Sequence, residues 1–249
     1  MTQTARRIVH FGGKDAVPFL QGLVSNDVLC LQHGPGLVWT ALLTAQGKYL
    51  ADFFVGQCAN TLFVDLPEVL ADDVLRRLSM YRLRADVTLT PSDWAVTRGL
   101  GSAPHNAMAD PRHPSLGWRH YGAPLSVAPV DWDAIRVAHI IPETAIELIP
   151  NESYLLECGF ERLNGVDFRK GCYVGQEVTA RMKHKTELRK GLALVQMGQK
   201  VPLGTPLVAE GREVGVIYTQ SEGKAIAHLQ FEKAMGEMVA GGVKVTRLT

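Results

Sequence analysis

Between Phe168 and Lys190 the chain reads FRKGCYVGQEVTARMKHKTELRK, where two glycines frame a cysteine, an aromatic residue and a Gln-Glu pair. Cys172 has the widest chemistry there, since a thiolate is a nucleophile, a soft metal ligand and a redox centre. A thiol of ordinary pKa, near 8.5, is only about 3% ionised at pH 7, and lowering that pKa by ~1.5 ionises half of it. Arg169 and Lys170 before it, and the start of a helix in VTARM after it, both act in that direction. The other reading of Cys172 is a small apolar side chain in a glycine turn. Gly171 and Gly175 open the backbone to conformations and close approaches denied to other residues. Gln176 and Glu177 carry the donors and acceptors to hold a planar heterocycle, and as first-turn residues they equally satisfy a helix's open amides.

The basic run Arg181, Lys183, Lys185, Arg189 and Lys190 reads first as a solvated face, with the carboxylates of an anionic ligand or RNA phosphates as alternatives. Cys30, Cys58 and Cys158 lie in apolar or strand-like stretches, and His105, His113 and His120 read as polar loop groups. The sequence has no CxxC, HxH or HExxH spacing, so no protein-only metal cage is expected.

The scaffold for this segment is mixed. RRIVHF alternates as a strand, Gly12-Gly13 turns it, and Asp15 stands to cap a helix carrying Phe19, Leu20, Leu23 and Val24. LVWTALL and YLADFFV, joined by TAQGK, read as a hairpin. TLFVDL is a strand, and Pro67 opens a helix with Val69, Leu70, Val74, Leu75 and Leu78 on one face, followed by strands in RADVTLT and WAV. Residues 98–129, rich in Gly, Pro and His with weak periodicity, are expected to be a loop-rich crossover. Asp131 caps a helix in DWDAIRVAHII, and Asn151 caps another over ESYLLEC that Gly159 closes. From Lys190 onward five short β runs with Gly-containing turns predict a small β-barrel. The expected organisation is α+β, with subdomains at 1–97 and 98–189 and a barrel at 190–249.

Hydrophobic residues at 46% against 20% charged exclude a disordered chain. Lys plus Arg at 26 against Asp plus Glu at 25 leave a net charge of +1, so any attraction to nucleic acid or anionic lipid must be local. No apolar stretch approaches the roughly 18–20 residues of a membrane span, and MTQTARRIVHFGGKDA holds no apolar signal core, so the expected location is cytoplasmic.

Lys170-Gly171-Cys172-Tyr173-Val174-Gly175-Gln176-Glu177 resembles the K-G-C-[FY]-x-G-Q-E signature of the YgfZ-type folate-binding proteins. FLQGLVSNDV from Phe19, ALLTAQGKYLADF from Ala41, IRVAHIIPE from Ile135 and the terminal barrel follow that family's order, so the resemblance spans nearly the whole chain. That family is in turn similar to the aminomethyltransferase, or T-protein, of glycine cleavage. The resemblance implies a ring of α+β subdomains around a central folate channel, with a C-terminal β-barrel. It also implies binding of tetrahydrofolate or a derivative, and an accessory role in iron–sulfur cluster assembly or repair that affects cluster-dependent enzymes such as those modifying tRNA. Implied partners are cluster-assembly proteins or client enzymes, with a transient iron–sulfur cluster as a further guest; from the near-neutral charge neither a membrane nor direct nucleic-acid binding is expected.

Carried over by motif, Cys172 and Lys170 are the chemically active residues, and Gly171, Tyr173, Gly175, Gln176, Glu177 and Arg181 shape the same patch. Arg136 corresponds to an arginine of the transferase's folate channel, and Asn26-Asp27 to the N-D pair after the first helix. One departure separates the two branches: Ala51 precedes Asp52 where the transferases carry two adjacent acids, the first catalytic. Alanine cannot accept or orient a proton, so aminomethyl transfer requires Asp52 or Asp27 to supply the acid. The alternatives to the accessory role are therefore a folate-dependent aminomethyl or one-carbon transferase and, from a different class, an RNA-binding module on the basic run.

Overall fold

The structure is a computed structural model that describes residues 5–184 and 187–248. The runs rich in β-branched and aromatic residues form strands β1 (Arg6–Gly12), β2 (Gly36–Leu43), β3 (Tyr49–Cys58) and β4 (Thr61–Pro67). With β5 (Thr88–Pro91) they make an antiparallel sheet ordered β2-β3-β4-β1-β5. β3 is buried on both faces, and its two-residue period feeds two cores. Ala51, Phe53 and Val55 pack under helices α1 (Ala16–Gln21) and α2 (Glu68–Arg82), whereas Phe54, and Tyr49 beyond a register shift, join Trp39 and apolar residues of 141–166 on the opposite face.

Several local expectations change. The Asp15 side chain does not cap α1; its Oδ2 accepts the Asp86 amide at 2.9 Å and pins two turns together. Val69 faces solvent, and α2 buries Ala71, Val74 and Leu78 instead. Residues 98–129 are loop-rich as expected, but they also hold β7 (Met108–Ala109), β8 (Trp118–Gly122) and the end of β6 (Ala95–Gly99), an antiparallel sheet ordered β6-β8-β7. Arginines interrupt its apolar pattern, yet Trp118, Arg119 and Tyr121 are buried, because ion pairing substitutes for hydrophobicity there. β6 runs across the boundary between 97 and 98. After Asn151 the chain forms successive tight turns and no helix. Asn151 has a φ of 65° and its amide donates to the Tyr49 carbonyl at 2.7 Å, while the Ser153 carbonyl, which a helix would use, accepts the Tyr49 amide at 2.9 Å.

Helix α3 (Trp132–His139) starts where expected, with Asp131 Oδ1 accepting the Ala134 amide at 3.0 Å. α4 (Gln176–His184) follows the glycine motif. Strands β9 (Lys190–Met197), β10 (Pro206–Ala209), β11 (Arg212–Ser221), β12 (Lys224–Gln230), β13 (Glu237–Ala240) and β14 (Val243–Arg247) close into a barrel ordered β10-β11-β12-β9-β14-β13. Arg136 and Glu147 weld it to the rest: Arg136 Nη2 donates to Glu147 Oε2 at 2.5 Å and to Thr219 Oγ1 on β11 at 3.1 Å. Among the described residues no helix is long and apolar enough to cross a membrane.

Candidate functional site

The motif segment sits on the tip of the β2–β3 hairpin. Gly47 and Gly175 meet there, with φ of 74° and 82°. A Cβ on Gly175 would lie 2.5 Å from the Thr44 carbonyl oxygen, and one on Gly47 would lie 2.8 Å from Val178 Cβ, so only glycines allow this seat. Gly171 differs: a Cβ there would meet open space, so its expected steric role is absent.

Most motif side chains hold the loop. Lys170 Nζ donates to the carbonyls of Gln21 at 2.7 Å, Val24 and Asn26 at 3.1 Å, closing the end of α1, and lies 4.9 Å from the Tyr173 ring centroid. Burial draws its pKa down to about 8, against the pull of Asp27 and Asp167. Gln176 Oε1 accepts the Tyr173 amide at 3.1 Å, and Glu177 pairs with Arg181 at 2.8 Å. Tyr173 packs against the second core, where burial raises its hydroxyl's pKa. Cys172, between these clamps, is an exposed free thiol.

The structure brings Asn26 to Lys170 but gives its side chain structural work: Nδ2 donates to the Trp39 and Asn164 carbonyls at 2.8 and 2.7 Å. Asp27 Oδ1 accepts the Leu29 amide. Arg136 is elsewhere, buried against Glu147, Asp133 and Thr219. Cys30, expected in an apolar context, is exposed on a 3-10 turn, where burial and Asp27 raise its pKa. Cys158 is buried and its pKa is pushed up to about 12. In the basic run Arg181, Lys183 and Arg189 pair with Glu177, Glu161 and Glu232, as a solvated face does; Lys185 lies outside the described residues.

Asp52 cannot stand in for the missing acid. Its Oδ1 accepts from the Tyr49 hydroxyl at 2.7 Å and the Thr144 hydroxyl at 2.6 Å, and its Oδ2 accepts from Trp39 Nε1 at 2.9 Å, all buried. Ala51 faces the apolar core under α1 and α2.

A second locus escaped the sequence reading. Arg6, Arg98, Arg112 and Arg119 surround Phe54, Val96 and Glu143 at the centre of the fold. Arg119 Nη2 donates to Asp65 at 2.6 Å, and Arg112 pairs in bidentate fashion with Asp110 at 3.0 and 2.8 Å. Burial raises the Asp110 pKa, but Arg112 and Arg119 outweigh it and hold the value at about 2. Arg98 is different: its Nε is buried with no hydrogen-bond partner, and its guanidinium stacks 4.1 Å from the Trp132 ring centroid. Burial, then Arg119 and Arg112, lower its pKa to about 9. Arg98 lines an outward cavity of about 400 Å³ together with Thr97, Leu125, Val127, Trp132 and the carboxylates Asp131 and Asp133. One aromatic face, one cation and two carboxylates suit a planar heterocycle that carries both donors and acceptors. Cys172 is not in this lining. The one available signal was arginine inside strand-like VTRG and WRHYG, where a charge survives only if paired or used.

Fold and site define a T-protein-type ring with an appended barrel. The fold matches the crystal structure of the glycine cleavage system aminomethyltransferase T from Bartonella henselae, with a TM-score of 0.77 over 99% of this chain and 83% of that one, at 10% identity. Residues 189–248 match the family described as CAF17, C-terminal beta-barrel domain. The chain is 30% identical to the mouse mitochondrial iron–sulfur cluster assembly factor IBA57 over 86% of its own length and 69% of that protein. It is 33% identical to the Mycosarcoma maydis homolog over 74% of its length, spanning about half (54%) of that relative, and 29% identical to the human protein over 94% and 78%. The chain therefore belongs to the IBA57 family of iron–sulfur cluster assembly factors. The cytoplasmic expectation is overturned, since these relatives are named mitochondrial. Composition and short apolar runs carry no information that separates one aqueous compartment from another.

Proposed function

We propose that this protein serves iron–sulfur cluster assembly as a tetrahydrofolate-binding factor of the YgfZ type, with the Cys172 thiol as its chemical contact to a partner or cluster. The observation that carries this is the division of labour in the octapeptide. Lys170, Tyr173, Gly175 and Gln176 hold the loop down, and Cys172 is exposed. A thiolate suits transient ligation of iron. Among the described residues no three His, Cys, Asp or Glu side chains gather as a metal set, so the other ligands of a cluster on Cys172 would come from a partner or small thiols. Client enzymes would include cluster-dependent tRNA-modifying enzymes, and the relatives' names support a mitochondrial setting.

The Arg98 cavity suits folate chemistry: Trp132 supplies an aromatic wall, Arg98 a cation, and Asp131 and Asp133 acceptors for the amino groups of a pterin. Aminomethyl transfer is the weaker reading because Asp52 is fully engaged, which leaves Asp27, one oxygen of which accepts the Leu29 amide, as its only named acid. The test is complementation of a strain lacking this protein. Cys172→Ser should fail to restore cluster-dependent enzyme activity while keeping wild-type folate affinity. Full restoration by Cys172→Ser would remove the thiol from the function.

A further inference from the structure

The end of α2 and the turn after it have no part in either locus. Ser79 to Arg84 are six consecutive exposed residues, among them Leu83 at 89%, Met80 at 68% and Tyr81 at 44% exposure. Large apolar side chains this exposed and this close together mark an interaction surface. Leu83 also has a φ of 44°, a region where glycine is the usual choice. The backbone angle at this exposed leucine costs stability with no burial to offset it, and strained positions cluster at functional surfaces.

The charges are equally uneven. Arg7, Arg76, Arg181 and Arg189 each face a carboxylate. Among the described residues Arg77, Arg82 and Arg84 have no ion pair. The turn is firmly based: the Ala85 amide donates to the Arg82 carbonyl at 2.8 Å, and Asp15 and Asp86 exchange backbone and side-chain bonds beneath it.

We propose that this tip docks the protein onto an anionic lipid bilayer, with Met80, Tyr81 and Leu83 entering the interface and Arg77, Arg82 and Arg84 meeting the headgroups. Exposed aliphatic residues beside uncompensated cations are the chemistry of interfacial binding. Single-stranded RNA would call for aromatic stacking, and two of the three apolar residues are aliphatic. Met80, Tyr81 and Leu83 do not line either cavity described above, and their side chains stand exposed for insertion. The expectation of no membrane contact came from the net charge, whereas a bilayer meets only the local one.

The test is sedimentation of the full chain with vesicles of phosphatidylcholine alone or mixed with phosphatidylglycerol. Wild type should sediment with the mixed vesicles, be released by salt and leave the neutral ones free. Arg82→Gln with Arg84→Gln should lower partitioning about 25-fold, roughly fivefold for each arginine. Leu83→Gly should lower it about tenfold without lowering the thermal midpoint, because glycine accepts the backbone angle. No sedimentation, equal binding to neutral vesicles, or unchanged partitioning of both variants would overturn the proposal. So would loss of tRNA binding in these variants with vesicles unbound throughout, which would assign the patch to nucleic acid.

Discussion

The Lys170 ammonium donates to the carbonyl oxygens of Gln21 and Asn26, so a residue two positions before the exposed cysteine closes the end of the first helix across 149 and 144 residues of chain. A cation at a helix C-terminus satisfies open carbonyls and meets the negative end of the dipole. The cysteine loop is thereby fastened at Lys170 and seated at Gly175.

Lys170→Met should destabilise the fold by about 1–2 kcal/mol, the partly exposed ammonium being screened toward the low end for charged hydrogen bonds. The pH dependence has a definite sign. The folded pKa is about 8 and the unfolded value near 10.5, so between them the unfolded chain holds more protons and this group's contribution to stability rises with pH. Urea unfolding of wild type and Lys170→Met from pH 7 to 10 should show the wild type gaining on the variant above pH 8; parallel curves would refute it.

Gly175→Ala should cost about 2–3 kcal/mol, since it combines a φ of 82° with a Cβ 2.5 Å from a carbonyl oxygen. Gly171→Ala, opening onto empty space, should stay within about 0.5 kcal/mol. Thermal unfolding of the pair separates the motif's structural glycine from its permissive one.

The buried ion pairs set the acid limit. Asp110 is held at about 2, and Asp65 is also held below its ordinary value by Arg6 and Arg119 against the opposing effect of burial. Unfolded carboxylates titrate near 3.8, so stability present above that pH is lost as pH falls toward 2. Arg119→Met should cost about 3–5 kcal/mol at neutral pH by leaving buried carboxylates short of a partner. It should also move the midpoint of acid unfolding, followed by far-UV circular dichroism, to higher pH.

Arg98→Gln should weaken tetrahydrofolate binding by roughly 10–100-fold, the worth of one charge-assisted hydrogen bond. Quenching of Trp132 fluorescence on titration reports the affinity, and Trp132→Phe should abolish the signal. Unaltered affinity in Arg98→Gln would exclude this cavity as the folate site.

The parts of the fold legible in the sequence are those where local pattern and tertiary outcome agree. The β2–β3 hairpin, the Asp131-capped helix and the barrel strands each carry their own periodicity or cap. The turns after Asn151 differ from the expected helix because Asn151 gives its amide to the Tyr49 carbonyl and the Ser153 carbonyl accepts the Tyr49 amide, a partner about a hundred positions away. Strand β8 of the three-stranded sheet has no legible apolar pattern because its buried residues include Arg119, whose partner Asp65 lies on β4.

The octapeptide alone determined that Cys172 would sit beside a helix start in a glycine-framed loop, because glycine and cap chemistry act over a few residues. Which neighbours would be tied down and which exposed, and that Arg98 would end buried over Trp132 with an unsatisfied nitrogen, only the tertiary structure decided. Ion pairing, desolvation and cavity shape depend on groups brought together from distant positions, and no local pattern encodes them.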